Sequence, residues 1–255
     1  VAFHPPIRDK AADEAGGQRA MTFAGFTLMD AIALGCFVGA WIAYYHAVER
    51  TTVGAISLNR LMNKHRYRWM GVFSSRENRI LDGNLNSSLQ NGTAFFASTS
   101  LIAVGGSLTL LRSSDEIIQV FAHLPFGVQT TREAWETKVL GLTIIFVYAF
   151  FKFAWSYRLF NYAAILIGAV PERKNADEET IKIAAWRAAS MNTVAGRHFN
   201  RGQRAFFFAL AYLGWFISPY ALIVATGFVL YTMWHRQFAS DALAALSKGP
   251  WPDPP

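Results

Sequence analysis

The chain alternates long apolar blocks with long polar ones, and the block lengths decide its class. Phe26 to Tyr45 is apolar apart from Asp30, and Gly92 to Leu111 forms a second apolar run. A third runs from Val139 to Phe151 and continues as KFAWSYRLFNYAAILIGAV to Val170; a fourth runs from Ala205 to about Trp234. A helix rises about 1.5 Å per residue, so about 20 apolar residues cross a hydrocarbon core, and each block reaches that length. The pattern predicts an all-α integral membrane protein with four transmembrane helices, at about residues 26–46, 92–111, 139–168 and 205–234. Helical cytoplasmic extensions are expected over 47–91 and 169–204, with polar tails over 1–25 and 239–255 flanking a membrane domain of 26–238.

The polar blocks carry helical periodicity of their own. In SLNRLMNKHRYRWMGVFSS, Leu58, Leu61, Met62, His65, Trp69, Val72 and Phe73 recur at steps of three and four, while Arg60, Lys64, Arg66 and Arg68 fall mostly on other faces. Such a helix either lies on the inner leaflet, with Trp69 at the headgroups and the basic residues toward anionic lipid, or packs on its neighbours. Ser74 and Glu77 have the spacing of a capping box. One long helix is expected from there to Leu111, with Leu81, Leu85 and Leu89 on one stripe and Asp82, Asn86 and Gln90 on a solvated one. Pro171 to Asn175 reads as a turn. Asp177, Glu178 and Glu179 then suit a helix N-terminus, and Gly196 is expected to end the Ala-rich helix that follows. Ser218-Pro219 is expected to kink the fourth crossing.

Charge sets the orientation. The segment 46–91 holds seven Lys and Arg and the segment 159–204 another seven, against three, three and two in the N-terminal tail, the 112–138 loop and the C-terminal tail. The positive-inside rule puts the two rich segments in the cytoplasm and both termini outside. The net charge of +7 is then a topology signal facing anionic lipid, and no nucleic-acid partner is needed to explain it. The one cysteine, Cys36, sits in an apolar run and reads as a small buried hydrophobe. The six histidines (His4, His46, His65, His123, His198, His235) are scattered singly, so no metal site is expected, and no phosphate-binding loop or nucleophile motif points to a cofactor or an enzyme.

Polar residues within the apolar blocks are the remaining candidates, because ionisable groups in a bilayer are costly. Asp30 lies in the first turns of the first crossing, Lys152 near the middle of the third, and Arg158 with Asn161 at its inner interface. Asp30 and Lys152 could pair, or Asp30 could cap its helix. Lys152 must face protein or water. In the second crossing Ser98, Thr99, Ser100, Gly105 and Gly106 either let helices approach closely or line a polar pathway.

Three stretches, RENRILDGNLNSSLQNGTAFFASTS, ETKVLGLTIIFVYAFFKFAWSYRLFNYAAILIGAVP and HFNRGQRAFFFALAYLGWFISP, resemble a bacterial membrane family known as domain of unknown function 599. The likeness spans roughly Asp30 to Phe238, leaving the Pro-rich end KGPWPDPP outside it. It implies a multi-pass inner-membrane protein with no catalytic set to carry over. Two functional readings follow. One is a homo-oligomeric assembly with a pore or transport role; the other is a structural or accessory protein that binds membrane lipid or a larger membrane complex.

Overall fold

The computed structural model describes residues 25–122 and 130–247; the tail 1–24, His123 and the Pro-rich end lie outside the described residues. Among the described residues eight α-helices follow in order: α1 (Leu28–Arg50), α2 (Leu58–Phe73), α3 (Ile80–Arg112), α4 (Ser114–Ala122), α5 (Arg132–Gly168), α6 (Glu178–Tyr212), α7 (Pro219–Phe238) and α8 (Asp241–Ser247). Short 3₁₀ turns cover Val53–Ile56 and Leu213–Phe216, and no strand occurs among the described residues. Three helices, α1, α3 and α5, are long and apolar enough to cross a membrane. The 3.6-residue periodicity therefore holds throughout, and most ends fall where local chemistry favours them. Thr27 and Asp30 form a reciprocal capping box on α1. Asp177 caps α6, and Ser218 caps α7 with Pro219 in its first turn.

The 205–234 block is not one crossing. Helix α6 continues through Gly196 to Tyr212, the chain turns, and α7 runs back along it. Pro219 has no N–H to give a helix interior, so it starts a new helix here and does not kink an old one. The reversal is fixed at both ends. Trp215 meets Asp30 at the start of α1, whereas the Tyr44 hydroxyl donates to the Met233 carbonyl near the end of α1. The Arg236 guanidinium also lies 5.0 Å from the Phe207 ring. Helix α7 thus runs parallel to α1, and the described chain starts and finishes at opposite ends of the bundle. The apolar core between them joins Ala33, Phe37 and Tyr44 to Phe208, Tyr212, Leu222 and Met233.

The expected helix start at Ser74 is also replaced by a turn. Ser74 closes α2, its hydroxyl donating to the Gly71 carbonyl, and α3 begins at Ile80. Asp82 is the cause: Trp69 Nε1 donates to its Oδ1 at 2.6 Å and Arg76 Nη1 at 2.8 Å, which folds the connection back on α3. Helix α2 packs inward. Met70 and Phe73 join Ile167, Val170, Ile181 and Ala185 in a second core beyond the ends of the apolar spans.

Helix α3 is inside out. Its buried residues are all polar: Asp82, Asn86, Thr93, Ser100 and Ser107. The last four recur every seven residues against α5, while Phe95 is 66 % exposed and Ile102 75 % exposed. A helix that turns small polar residues inward and large apolar ones outward suits lipid and not water. The expected solvated stripe of Asp82, Asn86 and Gln90 is this inner face. Cys36, expected to be buried, is exposed on α1 for the same reason.

Candidate functional site

Where α1 ends, the chain makes a tight 3₁₀ turn and starts α2, and these elements face the middle of α6 across a cavity of about 550 Å³. Small-molecule sites commonly fall in the range of about 300–1,000 Å³. Six basic side chains line it: Arg50 from α1, Arg60 and Lys64 from α2, and Arg197, Arg201 and Arg204 from α6. Glu49 is the one acidic residue among them. Arg197, Arg201 and Arg204 come together because spacings of three and four put them on one face of α6.

Glu49 is bound on two sides. Arg201 Nε donates to both of its oxygens at 3.0 and 3.1 Å, and Arg201 Nη2 donates to Oε2 at 2.5 Å. Arg204 Nη2 holds Oε1. Both guanidinium groups lie over the Tyr45 ring, 5.6 and 5.9 Å from its centre. The other four cations have no carboxylate within ion-pair distance among the described residues. Thr193, 6 % exposed, lines the same cavity, and its buried hydroxyl has no hydrogen-bond partner. A cavity with surplus positive charge and an unused hydroxyl is suited to an anion that also accepts hydrogen bonds.

The residues expected from sequence fall into separate places. Arg60 and Lys64 stand at the cavity wall. Arg66 lies across Gly196 of α6, donates to Asn63 Oδ1 at 2.8 Å, and is held below its ordinary pKa by burial. Trp69 is tied to Asp82, and Arg68 engages in interactions of its own. Of the two placements left open for α2, these contacts match packing on its neighbours.

Asp30 and Lys152 do not meet. Asp30 accepts from Thr27 and from Trp215 Nε1 at 2.7 Å, while Lys138 Nζ donates to the Trp215 carbonyl at 3.0 Å. Lys152 lies over the Tyr148 ring, some fourteen residues or ~21 Å further along α5 than Lys138. Arg158 bonds the Tyr162 hydroxyl at 2.6 Å, and Asn161 accepts from Gln90 Nε2 at 2.7 Å. Among the small residues of α3, Ser100 is buried and its hydroxyl, like that of Thr99, returns to a carbonyl of its own helix. Ser98, Gly105 and Gly106 face outward, and a Cβ at either glycine would meet nothing within 4 Å beyond its own stretch of helix.

Glu49, Thr193 and the clustering of Arg197, Arg201 and Arg204 were not singled out by sequence. The three arginines read as topology charges, and their spacing along one helix face was the available signal. Glu49 carried none, because its partners lie more than 150 residues away.

The family described as "Protein of unknown function, DUF599" matches residues 32–242 of this chain. No curated protein and no solved structure matches it.

Proposed function

We propose that this chain, which belongs to the DUF599 family, is a multi-pass bacterial inner-membrane protein that binds anionic lipid in its basic cavity and serves as an accessory or structural component without catalysis. The observation that carries this reading is the excess of six cations over one carboxylate at the end of an apolar helix. A lipid headgroup at the cytoplasmic surface would meet those cations while its chains lie along the outward apolar faces of α1 and α5. Outward-facing Val38, Ile42 and Ile144, below Trp41 and Tyr148, form a shallow apolar groove on that side.

A conducting assembly has weaker support. The hydroxyls of Thr93, Thr99, Ser100 and Ser107 are each satisfied by a carbonyl one turn back, which favours close packing over a polar pathway. Homo-oligomers through the open face at Gly105 and Gly106 stay compatible with lipid binding.

Native mass spectrometry of the full chain, released in mild detergent, tests the reading. Retained anionic lipid is expected, and it should fall at least several-fold in an Arg197→Gln, Lys64→Gln double variant. Retention of zwitterionic lipid alone, or equal anionic lipid in the double variant, would reject it.

A further inference from the structure

The cavity already contains one anion of its own, and its position is informative. The Glu49 carboxylate, 17 % exposed, takes donors from two arginines at once on the cationic wall. Arg204 is 9 % exposed and Arg201 27 % exposed, so their guanidinium groups are the most desolvated cations of the site. Forked guanidinium donors recognise carboxylate and phosphate oxygens by the same paired geometry. A phosphate monoester offers one more terminal oxygen than a carboxylate, and the Thr193 hydroxyl, which has no hydrogen-bond partner, is a donor on the same wall. Arg197 and Lys64 are exposed on the same cavity and have no acidic partner among the described residues.

We propose that Glu49 is a built-in competitor for the ligand of this cavity, and that the ligand is a phosphate-bearing group that takes over Arg201 and Arg204 from it. The inference rests on the anion-binding reading above and adds to it the chemical class of the ligand and an internal control on its affinity. Glu49 neutralises the two largely desolvated guanidinium groups, which would otherwise be costly unpaired charges. An arriving phosphate is first drawn by Arg197 and Lys64, then exchanges with the carboxylate, which moves toward solvent. Binding is therefore a swap of one anion for another, and the affinity is set below what six cations would give alone. Two sources share this chemistry, a phospholipid headgroup and a free phosphate compound.

The test uses the full chain in mild detergent, titrated with short-chain phosphatidic acid, with phosphatidylcholine of equal chain length and with inorganic phosphate. Glu49→Gln should tighten phosphatidic acid binding roughly ten-fold, since it removes the competing charge from a largely desolvated pair. Arg197→Gln, which leaves the Glu49 clamp intact, should weaken it. Because Glu49→Gln could unfold the region, carbodiimide labelling of Glu49 in the unmodified protein is the second measurement. Labelling should rise as phosphatidic acid is added. Unchanged or weaker binding by a folded Glu49→Gln variant, or labelling that does not respond to ligand, overturns the competitor role while leaving anion binding in place. Equal affinity for phosphatidic acid and phosphatidylcholine, unaffected by Arg197→Gln, overturns the anion reading itself. Both sources support the proposal and are told apart directly: inorganic phosphate displaces phosphatidic acid if the phosphate alone is recognised, and fails to if the lipid is required.

Discussion

At the scale of single residues, the polar groups that enter the apolar spans do structural work at one end and leave a surplus at the other. Asp30 is the clearest case. It accepts from the Thr27 backbone and hydroxyl and from the Trp215 indole, so one carboxylate caps α1 and ties it to the turn before α7. Asp30→Ala would leave the buried Trp215 indole N–H unpaired, at about 1–3 kcal/mol, and would remove the cap at Thr27 as well. Thermal unfolding in detergent should show a large fall in midpoint, and Asp30→Asn, which keeps one acceptor oxygen, a smaller one. Equal midpoints for Asp30→Ala and the parent would contradict that role. Gly202 shows a different constraint. A Cβ there would lie 2.7–2.9 Å from three carbons of the Phe153 ring. Phe153 is fully buried between Phe96 and Phe199, with ring centres 5.3 and 5.6 Å away, so it has no space to retreat. Gly202→Ala is expected to destabilise by about 1–3 kcal/mol, as overpacking of a full core does; an unchanged midpoint would show that α5 and α6 can separate there at no cost.

At the scale of helices, end chemistry and face chemistry were legible to different degrees. The Thr180 backbone N–H donates to the Asp177 carboxylate at 2.6 Å and holds it below its ordinary pKa of 3.8. A lowered folded-state pKa means that the cap stabilises α6 above the ordinary carboxylate range and is lost as pH falls through the lowered value. Protection of the Thr180 amide, measured against its intrinsic exchange rate, should therefore be lost in the parent only at pH values below the ordinary carboxylate range. That protection should be low at every pH in Asp177→Ala and should persist into acid in Asp177→Asn, whose neutral amide oxygen still caps. This cap and the apolar runs inside α1, α3 and α5 could be read from the chain, because each depends on residues within a few turns. The direction of a face could not. Leu81 and Leu85 look like a core stripe, yet they are exposed while Asp82 and Asn86 are buried. Periodicity finds the two faces of a helix but does not say which solvent lies outside. Gly196 misled for a related reason: a helical glycine reads as a stop in isolation, whereas here the missing side chain makes room for Arg66.

At the scale of the whole molecule, the α6–α7 hairpin changes the path of the chain. Asp30, Lys138, Trp215 and the start of α7 share one end, and Glu49, Arg201, Arg204 and the end of α7 share the other. The chain then passes between the two ends five times, where four passes were expected. With the end of α7 at the basic end, Arg236 joins the fourteen of segments 46–91 and 159–204, against three in the 112–138 loop. The charge asymmetry grows, which is the direction the positive-inside rule favours. A topology with both ends of the chain on one side would reduce it. Single cysteines in a Cys36→Ala background separate the two. Ser75→Cys lies in the turn after α2 at the basic end, Glu116→Cys on α4 at the opposite end, and Asp241→Cys at the start of α8; all three positions are exposed. A membrane-impermeant thiol reagent added to intact cells should label Glu116→Cys alone, with Ser75→Cys and Asp241→Cys reacting only after the membrane is opened. Labelling of Asp241→Cys together with Glu116→Cys in intact cells would restore the four-pass path. It would also remove the basic end of α7, with Arg236, from the side of the cavity, and with it the geometric basis for reading that end as the cytoplasmic, lipid-binding one.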